Sequence, residues 1–151
     1  MTTKTTIDRD QLTARYTSAR ALTEQIAACL GEEDQVAQSM PDASPVKWHR
    51  AHTTWFFEEF VLMPNDPCYQ RIDDRYSYLY NSYYDAVGAR HPRPERGLQT
   101  RPDCGAIAAY RDHVDSAVTR LLGTAGSATF STVAPLIELG VHHEQQHQEL
   151  A

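Results

Sequence analysis

From Asp8 to Leu30 apolar residues recur every three or four positions, at Leu12, Tyr16, Ala19, Leu22, Ile26 and Leu30, and Gly31 follows as a stop. This spacing predicts a first long helix with one buried stripe. A second helix is predicted from Ser44 as N-cap, with Pro45 in its first turn, through WHRAHTTWFFEEFVLM to about Met63, because Pro64 and Pro67 follow. Residues 64–101 break the pattern: a tyrosine-rich segment from Tyr76 to Gly88 is compatible with a short helix, and RHPRPERGLQTR reads as a loop. Pro102 can open a third helix whose stripe is Ile107, Tyr110, Val114, Val118 and Leu121, ended by Gly123 and Gly126. The last helix starts between Ser127 and Ser131 and contains Pro135, where a kink is allowed. With no alternating strand pattern, the expected fold is all-α, an antiparallel four-helix bundle with a long irregular connection between helices two and three. Connections of that length often carry function.

Composition narrows the picture without changing it. The 151 residues, 41% of them hydrophobic, suit one domain with a core of its own. A formal charge of −6 supplies no basic face for a nucleic-acid backbone, so nucleic acid is not an expected partner. No apolar run approaches the roughly 20 residues that span a bilayer, and MTTKTTIDRDQ lacks the apolar centre of a signal peptide. The expected location is cytoplasmic, with no membrane partner. Cys29, Cys68 and Cys104, widely spaced and odd in number, read as reduced thiols with packing or surface roles.

Candidate chemistry concentrates in HHEQQHQEL. His143 and His147, four apart, are neighbours on one helix face and can chelate a single ion. At about 100° per residue they share a stripe with Leu136, Leu139, Gly140 and Leu150, which predicts core-facing positions. On helix two, His52 falls on a face with Trp48, Trp55, Phe56, Glu59 and Met63, while His49 lies only about 60° away. Periodicity alone leaves either of the two facing a metal. His91 and His113 read as surface residues, and His142 is off the stripe. HEQQH also matches the HExxH pattern of zinc peptidases, in which the glutamate acts as general base. Only residues 148–151 follow to supply a third ligand, and no edge strand precedes the helix, so peptidase activity is not expected.

Four segments, SPVKWHRAHTTWFFEEFVL, YLYNSYYDAVGARHPRPERG, AYRDHVD and LIELGVHHEQQHQEL, resemble in order the N-terminal DinB-like domain of the sulfoxide synthases of ergothioneine biosynthesis. The resemblance spans nearly the whole chain. It implies a nonheme iron(II) enzyme that uses O₂ to join cysteine or γ-glutamylcysteine to hercynine, and it places the metal ligands at His52, His143 and His147. It implies Gln146 as a partner of the hercynine imidazole, and Arg93 and Arg96 as contacts for the carboxylate of the thiol substrate. Family members carry a second, formylglycine-generating-enzyme-like domain that completes the site. Residues 1–151 are expected to form the DinB-like unit alone, either as a truncated copy or as half of a split enzyme whose second domain is a separate partner. The same three histidines would also suit a DinB-like transferase or hydrolase using zinc or nickel with a thiol, or a metal-binding bundle without catalysis.

Overall fold

The computed structural model of the chain describes residues 7–151, and every element in it is helical. Helix α1 (Arg9–Ala27) starts where the Asp8 carboxylate accepts from the amide of Gln11. It ends at Ala27, three residues before the expected Leu30, and residues 28–30 turn the chain instead. Gly31 begins a further short helix, α2 (Glu32–Val36), with its amide donating to the Asp34 carboxylate. Helix α3 (Val46–Phe57) has Pro45, rather than Ser44, as its N-cap. It runs on through a π-helical turn (Glu58–Leu62) and a last turn (Met63–Asn65). Pro64 offers no amide, and its ring would crowd the Phe60 carbonyl of a regular ladder. A wider turn lies just before it.

That turn shifts the helical phase. Glu58 and Leu62 are fully buried, whereas Met63, expected on the His52 face, is 43% exposed. In the long connection the tyrosine-rich segment is helical only over α4 (Tyr76–Tyr80), and Arg93–Leu98 form a 3-10 turn. Helix α5 (Cys104–Thr124) is capped by Asp103, and α6 (Ser127–Leu150) passes through Pro135 unbroken.

Contacts along the helices set their directions. Arg9 bonds the carbonyls of Leu122 and Ala125 while Arg20 pairs with Asp115, so α1 and α5 are antiparallel. Arg9 lies over Phe130, Arg15 meets Glu138 and Arg20 meets Glu144, so α1 and α6 run the same way. The connection between α3 and α5 returns the chain to the starting end, and these two helices also run side by side, with Arg111 on the Arg50 carbonyl and Arg120 on Asp66. Helix α3 is the most enclosed, buried at every position from Lys47 to Phe57. Gly140 lets α6 approach it closely: a Cβ there would lie 2.7 Å from Cζ of the Phe57 ring. No helix among the described residues is long and apolar enough to cross a membrane.

Candidate metal centre

His52 sits at the middle of α3 with a tryptophan one turn to either side. Trp48 stacks on its ring at 4.4 Å and 12°, and Trp55 at 5.3 Å and 17°. The Arg96 guanidinium covers the outer face of Trp48, 3.5 Å from the ring centre. His52 Nδ1 lies 2.6 Å from the carbonyl oxygen of Tyr80. A carbonyl can only accept, so Nδ1 carries the proton and Nε2 keeps its lone pair. That lone pair points across to α6, where His143 Nε2 is 3.2 Å away.

His143 and His147 pack one turn apart, ring centres 4.5 Å from each other, and His147 lies 4.7 Å from His52. One nitrogen from each of His52, His143 and His147 falls within 4.8 Å of the others. Two imidazole nitrogens on one ion at about 2.1 Å stand about 3 Å apart when cis, so the 3.2 Å His52–His143 pair already has the spacing of two ligands on one divalent cation, with His147 the third candidate beside it. Burial keeps the rings neutral, as ligands must be. The His52 pKa is well below the ordinary imidazole value, that of His143 is down to about 4, and that of His147 is about 3, helped by the neighbouring histidines.

The wider stripe differs from the expected one. Leu139 and Leu150 are exposed, at 55% and 62%, and the buried line of α6 is Val133, Ile137, Gly140 and Glu144. The histidines lie on the flank of that line that meets α3. His49, the rival of His52, falls outside the trio but is buried and has its Nδ1 2.8 Å from His147 Nδ1. His91 is half-buried against Tyr78, less exposed than its neighbours suggest.

Glu144, the glutamate of the HExxH match, turns away from the histidines. It is fully buried, receives hydrogen bonds from Arg20, Arg111 and Thr23, and its pKa is held down to about 2 by the two guanidinium groups against burial. It is unavailable as a general base, which removes the peptidase reading. Glu144 and its two arginines were the residues least visible in the sequence. Their only signal is a charge falling on apolar stripes, Arg20 beside Ala19 and Arg111 beside Tyr110.

Beside the histidines opens a groove of about 410 Å³. Its lining includes Trp48, His49, Arg93, Arg96, Gln146 and His147, so all three expected substrate contacts reach one space. Arg96 is 3% exposed, donates to Ser44 Oγ at 2.9 Å, and burial with Arg93 and Arg90 nearby lowers its pKa to about 10. Arg93 and Gln146 are exposed at the rim. Ser82 and Tyr83, which carry no signal of their own in the sequence, also line it.

No curated protein matches the chain at a significant level. A family model does, that of the DinB superfamily, over residues 15–151, whose domains are often metal-dependent enzymes. With an all-helical fold and three histidines from two helices able to hold an ion, the chain belongs to the DinB superfamily.

Proposed function

We propose that His52, His143 and His147 hold iron(II), and that this chain is the metal-binding part of an ergothioneine-type sulfoxide synthase acting on hercynine and a cysteine-type thiol. The observation that supports the reading is convergence on the groove. Trp48 and His49 from the SPVKWH segment, Tyr83 from YLYNSYY, Arg93 and Arg96 from HPRPERG, and Gln146 and His147 from HEQQHQEL all line it. When bound, iron(II) on three imidazoles would leave positions open for a thiolate and O₂ and supply the redox chemistry that joins sulfur to carbon. The chain's own side chains bind and orient. Trp48 and Trp55 clamp the His52 ring, and Tyr80 fixes its tautomer. Arg93 and Arg96 offer guanidinium groups for a substrate carboxylate, and the Gln146 amide can both donate to and accept from an imidazole. A formylglycine-generating-enzyme-like domain, on this chain or another, is the partner that would complete the hercynine pocket.

The test is an anaerobic iron(II) titration by calorimetry of the chain beside its His52→Ala, His143→Ala double variant. One-to-one binding lost in the double variant is expected, followed by a sulfoxide product by mass spectrometry when hercynine, thiol, O₂ and the partner domain are supplied. Equal, weak binding by both proteins rejects the metal site. Tight zinc or nickel binding with thiol transfer and no sulfoxide favours a DinB-like transferase instead.

A further inference from the structure

We infer that His49 is the outer partner of His147: its Nδ1 accepts the Nδ1–H of His147 and holds that ring with the Nε2 lone pair turned toward His52 and His143. The inference deepens the metal-site reading and rests on it. The two Nδ1 atoms are 2.8 Å apart, with the rings inclined at 51°. Two imidazoles at that distance share one hydrogen, so one Nδ1 donates and the other accepts.

The direction of that bond decides what His147 can do. A donating His49 would leave the proton of His147 on Nε2, the one nitrogen then left to serve as a ligand. A donating His147 leaves Nε2 free as a ligand. Among the described residues His49 is the only hydrogen-bond partner of the His147 ring, so nothing else fixes its tautomer. His49 Nε2 is buried with no hydrogen-bond partner, so the nitrogen this ring engages is the Nδ1 that meets His147. With the His147 proton on Nδ1, the His49 proton sits on Nε2 and its Nδ1 accepts.

The arrangement repeats what Tyr80 does for His52. Each of these ligands has its Nδ1 side engaged by an acceptor outside the trio, while His143 Nδ1 is buried with no partner. It also gives the histidine pair three apart on α3 a division of labour, His52 toward the ion and His49 behind His147. Outer partners of this kind typically change metal affinity 10- to 100-fold.

Two measurements test it. Long-range ¹H–¹⁵N spectra of the metal-free chain are expected to show His147 protonated on Nδ1 and His49 on Nε2. His147 protonated on Nε2 overturns the inference. Zinc(II) affinity is then compared among the wild type, His49→Asn, whose amide oxygen can stand where Nδ1 stands, and His49→Phe, which fills the space without an acceptor. A loss of 10- to 100-fold in the phenylalanine variant, with the asparagine variant within a few-fold of wild type, is expected. Equal affinity of wild type and His49→Phe overturns it. If the wild type takes no metal, the metal-site reading fails, and the tautomer in the metal-free protein still decides the His49 assignment.

Discussion

Glu144 and His143 are adjacent in the chain and face opposite environments, one a pair of buried arginines and the other a cluster of neutral rings. Glu144→Gln would remove the negative charge that Arg20 and Arg111 share and leave two guanidinium groups buried beside a neutral amide. A loss of about 3 kcal/mol is expected, read as a lower urea midpoint at unchanged slope. The rings make a different prediction. Four histidines, at 49, 52, 143 and 147, have folded-state pKa values well under 6.5, chiefly through burial. Between pH 6.5 and about 4 the unfolded chain takes up protons that the folded chain refuses, so metal-free stability falls as pH drops through that window and is flat above it. The depressed Glu144 and Glu24 extend the loss to lower pH. Thermal melts of the metal-free protein from pH 7.5 to 4.5 check this, and a constant Tm would contradict it. At this scale the sequence marked His143 and His147 because i, i+4 histidines are a local signal. It left open His49 against His52, and it hid the Tyr80 carbonyl, since a backbone group brought in from 28 residues away leaves no mark on residue type.

Helix α3 owes its register to two departures from a plain α-helix, the wide turn at Glu58–Leu62 and the close seat of Gly140 against Phe57. The first explains why the periodic reading held through Phe56 and failed at Met63: one extra residue in a turn moves every later side chain around the axis. The four long helices were legible because each carries a stripe over three or more turns. Helix α2, five residues with one buried side chain, has no such stripe, and the parallel pairing of α1 with α6 depends on contacts more than 100 residues apart. The second departure predicts an outcome. Gly140→Ala would push a methyl into the Phe57 ring, which is fully buried and cannot yield. A cost of about 1–3 kcal/mol is expected, with α6 displaced from α3 and metal affinity reduced although no ligand is changed. An alanine variant with wild-type Tm and affinity would show that the two helices have slack there.

At the scale of the whole molecule, the site exists only when α3 and α6 are packed, since His52 and His143 are 91 residues apart. A metal bound at 100 times its Kd would add about 2.7 kcal/mol and raise Tm by roughly 5–10 °C, reversed by a chelator. The His52→Ala, His143→Ala variant should show neither change, and calorimetric scans with and without zinc(II) decide it. The arginine–glutamate web ties α1, α3, α5 and α6 together, so melting followed by helix content and by tertiary signals should coincide. Trp48 and Trp55 are the chain's two tryptophans, and both stack on His52. The protein therefore carries a built-in optical reporter: its entire indole emission comes from the two faces of one candidate ligand. An ion arriving at Nε2 would alter the quenching of both indoles at once, making occupancy readable by intrinsic fluorescence without any label.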